Sequence, residues 1–453
     1  MAANGLIGSQ DFTLDACLIV GNSGQPYEFK YMVVELNYFE DLYSNSVTGN
    51  MLISDSSQFI EKLEFNGNEV LILKFTKPGL EFPIEKSFRI FSVSNRTLTN
   101  TTNENYKLNF CSEELYLSEN ILVSKSYKNK KVSDIVKDLT FNILKINPKK
   151  FLAANLEETD AVLNLIVPKM SPFETLNWLC YYAISKGSQT KGSSFFFYEN
   201  REGFNFKSLQ SLYKQQPYGT YTFEIKNMNN PDDARVRELS KDLHSVISYQ
   251  HIKNYNALES TNNGSFSNRL ITVNPIRLTY GVTDYDYNKE FVMTQKMNPM
   301  PLITNAIDRF GNSANTGYES VLKLAVSNSG NPANPYIKTH QTDTRENFIE
   351  ETLPTRTAQV SQLDTNKIRL TIPGDPLIKV GDTLIFNLPS MSGVLDRSMD
   401  HFYSGKYLIT AVRHKISQDS KFITMVEISK ESLPNRYGMY NNESPAWKEL
   451  RSR

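Results

Sequence analysis

The chain has 453 residues, 40% of them hydrophobic and 22% charged, which is enough for two to four domains with their own cores and too apolar for a disordered polymer. Its 49 basic residues balance 49 acidic ones, a formal net charge of +0, and this argues against a protein whose main task is to grip phosphates. Cys17, Cys111 and Cys180 are odd in number, widely spaced and without a CxxC pair, so they read as reduced core thiols rather than as a disulfide, zinc or redox framework.

The N-terminus, MAANGLIGSQDF, lacks the basic and apolar regions of a secretory signal. Apolar runs such as 162–167 are too short to span a bilayer, so the chain is expected to be made in a cytoplasm and to stay soluble, with no membrane anchor. Residues 1–118 read as a first β-barrel domain. Tyr27, Phe29, Tyr31 and Val33 alternate with Glu28 and Lys30 as one strand. Further strands are expected over 47–54, 70–75, 88–98 and 106–111, with turns at Asn66-Gly67-Asn68 and Asn103-Glu104-Asn105.

The period then changes. Residues 119–226 read as an α+β domain of two helices and a hairpin. Val132, Ile135, Val136, Leu139 and Ile143 follow helical spacing as far as Pro148. Ser171-Pro172-Phe173-Glu174 is a capping box with proline at the first helical position, and Gly187 is the expected stop. Segments 195–198 and 204–206 flank Asn200 and Gly203 as a hairpin. Residues 227–362 form a mixed region, with strands near 246–252 and 269–273, a Tyr-rich stretch at 279–287, a loop at 327–335, and a helix over 346–362 that Pro354 kinks or starts. Residues 363–434 return to β as a second barrel domain, with strands at 367–372, 383–388, 406–416 and 421–428. Residues 435–453 read as a polar tail or arm. The fold class is therefore mainly β with α+β insertions, two β-barrels flanking a mixed helical and strand region.

The two β segments share an order of events. GNEVLILKF from Gly67 corresponds to GDTLIFNL from Gly381, and SFRIFSVSNRTLT to GKYLITAVRHKIS. Polar links NTTNEN and QDS follow, then strands ending CSEEL (111–115) and SKESL (429–433). Short β-meanders recur by chance, which would leave two unrelated barrels, but the shared order favours a structural repeat. A ring of three such chains would present six similar barrels, matching three-fold subunits to a six-fold partner.

Catalytic and metal motifs do not emerge. His244, His251, His340, His401 and His414 form no HxH, HExxH or His–Cys cluster. Gly21-Asn22-Ser23-Gly24 is not a GxSxG elbow, and no phosphate loop or GxGxxG is present. Carboxylate pairs such as Glu113-Glu114 and Glu157-Glu158 would need a set separation in a cleft to act as a glycosidase, which a sequence does not show. Tyr127-Lys128-Asn129-Lys130-Lys131 reads as a solvated loop. One stretch, Met399-Asp400-His401-Phe402-Tyr403, sits in a long inter-strand loop. Asp400, His401, Phe402 and Tyr403 are either a partner-binding surface or a loop folded back on its own barrel, and both readings stay open.

Several segments resemble the baseplate hub proteins of contractile-tailed phages. They are SVTGNMLISDSSQFIEKLEFNGNEVLIL (46–73), SPFETLNWLCYYAIS (171–185) followed by SSFFFYE, VGDTLIFNL (380–388), GKYLITAVRHKIS (405–417) and FITMVEISKES (422–432). Their order and spacing from about residue 30 to about residue 433 carry the resemblance, and 227–345 contributes least. The resemblance implies a homotrimer with a central channel for DNA in transit, whose two barrels imitate the six-fold tail tube and whose distal side holds a trimeric spike on a separate chain. Related hubs serve type VI secretion. It implies no enzyme activity and no cofactor. The implied partners are further copies of the chain, the tail tube protein and the central spike protein, with baseplate wedge and tape-measure proteins as further candidates, all in the virion. The competing readings are a tail-associated peptidoglycan hydrolase and an OB-like nucleic-acid-binding protein.

Overall fold

A computed structural model describes residues 12–21, 24–63, 65–77, 84–100, 103–160, 162–186, 193–223, 244–256, 258–259, 266–275, 278–302, 321–326, 349–390, 399–400, 402–417 and 421–434. The expected stop at Gly187, the loop at 327–335 and the tail at 435–453 lie outside the described residues, as do His340 and His401. Among the described residues no helix is long and apolar enough to cross a membrane.

The first barrel contains β1 (Thr13–Val20), β2 (Pro26–Glu28), β3 (Val33–Asp41), β4 (Thr48–Asp55), helix α1 (Phe59–Leu63), β5 (Val70–Thr76), β6 (Ile84–Asn100) and β7 (Asn103–Ser112). Alternation drives it: Met51, Ile53, Leu71, Leu73, Phe75, Tyr106, Leu108 and Phe110 all point inward and are buried. The expected strand through Tyr27 and Val33 is interrupted. Phe29 is buried but Tyr31 is 82% exposed, because the Met32 N–H bonds the Phe29 carbonyl and turns the chain. That bend closes the barrel: β2 pairs with β1 while β3 pairs with β4.

The middle body follows with α2 (Glu113–Asn120), β8 (Val123–Lys131), α3 (Val132–Lys137) running into a π-helical turn (Asp138–Ile143), β9 (Val162–Met170), α4 (Pro172–Leu179), β10 (Phe195–Asn200), β11 (Gly203–Ser208) and α5 (Leu209–Lys214). The N-cap half of the expected capping box forms, with Ser171 Oγ accepting the Glu174 N–H at 3.3 Å. Residues 127–131 are not a loop. They belong to β8, which pairs with β9, and Tyr127 is buried with its hydroxyl on Asp138 Oδ2 at 2.6 Å. The lysines on the other face stay exposed, which is why composition alone suggested solvent.

Next come β12 (Pro217–Thr222), β13 (Ser248–Lys253), β14 (Asn268–Asn274), β15 (Thr279–Tyr285), α6 (Tyr287–Met293), β16 (Met300–Pro301), β17 (Leu322–Val326) and α7 (Ile349–Leu363), which runs through Pro354 in its second turn. The chain ends with β18 (Asn366–Pro373), β19 (Thr383–Asn387), β20 (Gly405–Ser417), β21 (Lys421–Lys430) and β22 (Ser432–Leu433). The second barrel is not confined to 363–434. It draws in β12, parallel to β19, and β13, antiparallel to β18. The Thr222–Ser245 bridge joins the β12 side to the β13 side and closes the ring of strands. Strands β14, β15 and β17 form a separate small sheet inserted between β13 and β18.

The repeat inferred from sequence is present in the topology. The first barrel has the strand order β5-β6-β7-β4-β3 and the second β19-β20-β21-β18-β13, all antiparallel. Chain order through the five strands is the same in both. One irregularity is shared: β6 bulges between Ile90 and Ser92, and β20 between Ile409 and Ala411. The turns before β5 and β19 each place a glycine at positive φ, Gly67 at 95° and Gly381 at 89°, a conformation that L side chains rarely adopt. The closing strands differ, since β1 runs antiparallel to β5 and β12 parallel to β19. The barrels then fuse edge to edge, β20 pairing with β3 from Ala411–Asp41 to Ser417–Glu35.

Candidate functional site

The joint of the two barrels and the middle body is buried and polar. Glu40 lies in phase with Leu36 and Tyr38 on the inward face of β3, and all three are buried. Its carboxylate accepts the Val380 N–H from the second barrel at 3.0 Å and the Tyr38 hydroxyl at 3.1 Å. The Val380 carbonyl accepts from Asn200 Nδ2 at 3.3 Å, at the tip of the β10–β11 hairpin. Beside Asn200, Glu199 returns to the first barrel: it takes the Val47 N–H at 2.9 Å, the Ser112 hydroxyl, and Lys86 Nζ at 3.1 Å. Three bodies are thus linked in a closed circuit of buried hydrogen bonds. Burial pushes the Glu40 carboxyl up to about 7, with Glu199 adding to the rise and Lys86, the Val380 N–H and Tyr38 opposing it.

Asp400, Phe402 and Tyr403, the described partner-binding candidates of the stretch singled out in the sequence, rest against their own barrel. Asp400 Oδ1 accepts the N–H groups of Phe402 and Tyr403 at 2.7 and 2.9 Å, and the Asp400 N–H bonds the Leu388 carbonyl. Phe402 and Tyr403 are half-buried, and the Tyr403 ring lies 4.4 Å from that of His251. Lys430 fastens the loop from beneath. It is fully buried, donates to the carbonyls of Phe402 and Ser404, and lies 4.8 Å from the Tyr407 ring centroid. Burial pushes its amine down to about 7, against Asp400 and Glu431. Lys430→Met should remove the donor shared by two carbonyls and cost roughly 1–3 kcal/mol. Hydrogen exchange at the Phe402 and Tyr403 amides should quicken, and unchanged exchange would refute the fastening role.

The described histidines, His244, His251 and His414, lie apart from one another, each against an aromatic ring. His414 is buried with Nδ1 3.1 Å from Thr424 Oγ1, and burial pushes it down to about 4. His244 lies beside Tyr221, and His251 sits on extended β13 rather than on a helix. Glu157 accepts from Ser185, Ser208 and Ser211, and Glu158 pairs with Lys186 at 2.9 Å. Among the described residues no three His, Cys, Asp or Glu side chains converge as a metal site. A cleft of about 340 Å³ between the second barrel and the small sheet is bounded by Lys253, Phe266, Asn268 and Asp364, and its Lys253–Asp364 ion pair spans 2.8 Å.

The exposed surface is more informative. The small sheet packs one face on α7, with Asn268 Nδ2 bonding the Pro354 carbonyl and Lys323 Nζ bonding Thr357. The other face displays Tyr280, Val282, Leu322, Leu324 and Val326, exposed by 51–74%. Its charged pair, Arg269 and Asp284, is closed on itself at 2.6 Å.

Sequence reasoning missed Glu40, Lys86, Glu199 and Lys430. A signal existed for two of them. Glu40 continues the inward phase of Leu36 and Tyr38, and Lys430 continues that of Phe422, Thr424, Val426 and Ile428. A charge in phase with a buried stripe marks a buried polar joint.

No protein-family model matches the sequence, and no curated protein matches it significantly. Solved structures do. The tail protein from Neisseria meningitidis MC58 superposes with a TM-score of 0.51 at 9% identity, over 94% of this chain and 100% of that one. The 43 kDa tail protein of prophage MuSo2 from Shewanella oneidensis gives 0.51 at 9% identity, over 92% and 98%. With two like barrels, a helical middle body and a fused sheet, the chain has the fold of these tail proteins, in keeping with the hub-like pattern of its sequence.

Proposed function

We propose that the chain is a structural subunit of a phage tail, a baseplate hub that forms a three-membered ring between the six-fold tail tube and a three-fold spike. One observation carries this reading: the same five-strand antiparallel order occurs in both barrels of one chain, and the two are joined edge to edge. Three copies then offer six similar barrels to a six-fold partner, and the spike side keeps three-fold symmetry. The full-length fold likeness to two tail proteins supports it. On this reading the chain is not an enzyme. Its partners are its own copies, the tail tube and the spike, with wedge and tape-measure proteins beyond them. Its mechanism is symmetry matching and load bearing, and the buried joint of Glu40, Glu199 and Lys86 holds the bodies at fixed angles. DNA passes through the channel, and a lining free of basic excess lets it slide, because each phosphate–cation contact adds affinity.

The test is the mass in solution, by light scattering, of the protein alone and mixed with a candidate trimeric spike protein. A species near three times 51.8 kDa, or a three-to-three complex, is expected. A persistent monomer under both conditions would overturn the ring.

A further inference from the structure

The chain leaves the second barrel at the end of β13, builds the small sheet, and returns through α7 into β18. The cleft of about 340 Å³ lies between these two connections. Lys253 and Tyr255 wall it from the end of β13, Phe266 and Asn268 from the start of β14, and Ala358 and Ser361 from α7. These walls are held in place. Asn366 Oδ1, at the start of β18, accepts the Tyr255 N–H at 3.3 Å, and the Phe266 ring packs 5.3 Å from that of Tyr287.

Asn268 is the group that asks for a ligand. It is 1% exposed, and its amide orientation is fixed: Nδ2 donates to the Pro354 carbonyl at 3.0 Å, so a flipped amide would set oxygen against oxygen. Pro354 lies outside the wall, which leaves Oδ1 as the end toward the cleft. Oδ1 has no hydrogen-bond partner among the described residues. A buried acceptor without a donor is costly and calls for an explanation. One bridging water would satisfy the oxygen, but the cleft is far larger than one water needs.

The remaining lining narrows the class of molecule that could bring the donor. Phe266 and Ala358 are buried and apolar, a ring and a small side chain that leaves room beside it. Asp364 already has Lys253 at 2.8 Å and Lys367 at 3.0 Å, so the wall holds no unmatched buried charge for an ionic ligand. Asn254, Asn256 and Ser361 stand exposed at the mouth, with amide and hydroxyl groups suited to meeting hydroxyls. A neutral ring with apolar C–H faces and hydroxyls around its edge satisfies all three conditions. We propose that the cleft binds a neutral saccharide, its C–H face against Phe266 and one hydroxyl or acetamido N–H donating to Asn268 Oδ1. Its size falls within the range of small-molecule sites, which pair an apolar wall with a few placed polar groups. The site lies within one chain, so it stands or falls independently of the ring.

The test titrates the full chain with glucose and with N-acetylglucosamine, followed by saturation-transfer NMR and calorimetry. Saturable binding of at least one of the two is expected. Ser361→Trp fills the mouth from an exposed position of α7, so it should keep the wild-type melting temperature and abolish that binding. Asn268→Leu removes the acceptor and should weaken binding about tenfold to a hundredfold, the usual cost of one lost hydrogen bond to a buried group. Binding that Ser361→Trp leaves unchanged would place the sugar elsewhere and overturn the proposal. Failure of both sugars to saturate would overturn it as well. Tighter binding of glucosamine, a cation, than of N-acetylglucosamine would overturn the neutral class of ligand.

Discussion

Lys86→Met is expected to destabilise the protein by about 3–5 kcal/mol, the usual cost of removing one member of a buried ion pair. The Glu199 side chain is 2% exposed and that of Lys86 15%. Lys86 Nζ also bonds the Asn200 carbonyl at 2.8 Å, so its loss strips charge compensation from Glu199 and a donor from the hairpin tip together. The pair itself adds little net stability, because desolvating two charges offsets most of their attraction; the damage comes from leaving one charge alone. Lys86→Met/Glu199→Gln should therefore recover much of the loss, since the amide oxygen can still accept from Val47 and Ser112 without a charge to solvate. Chemical denaturation of wild type, single and double variants measures this. A double variant no more stable than the single one would refute the account.

The second large effect is a pH dependence centred on Glu40. Its carboxyl titrates at about 7 in the folded protein and near 4.5 when unperturbed. Between these values the folded state holds a proton that the unfolded chain has lost, so this stabilisation is fully present below pH 4.5 and disappears as pH rises through 7. At about 1.4 kcal/mol per pH unit, the interval is worth about 3 kcal/mol. Glu40→Gln keeps an acceptor for the Val380 N–H and carries no charge. It should match wild type at pH 4 and be the more stable protein at pH 8. Melting temperatures measured across that range decide it, and parallel curves for the two proteins would refute the assignment. On the proposed reading this joint sets the angle between neighbouring barrels, so ionisation above pH 7 would loosen it first.

Much of the fold was legible in the residues. Strict alternation at Tyr106, Leu108 and Phe110, and at Phe422, Thr424 and Val426, requires half-buried strands, because successive side chains face opposite sides. Ser171, Pro172 and Glu174 start a helix for local reasons of hydrogen bonding and φ. The repeat was visible because turn glycines, strands and polar links follow one another closely in the chain. Where local information stopped, the expectations went astray. Alternation at Tyr27, Phe29 and Tyr31 looks the same whether the strand runs on or turns at Met32, and only barrel closure requires the turn. The lysines around Tyr127 conceal a strand whose other face packs on the middle body.

Sequence by itself thus determined the strand and helix propensities, the duplicated meander and the neutral charge balance. Tertiary structure alone decided that β12 and β13, far from the second barrel in the chain, complete it, and that Phe402 and Tyr403 fold back over Lys430. It also decided that Glu40, Glu199 and Lys86 converge across three bodies. The physical reason is range. Propensity, capping and turn chemistry act within a few residues, whereas strand pairing and charge burial depend on which surfaces meet after long loops close.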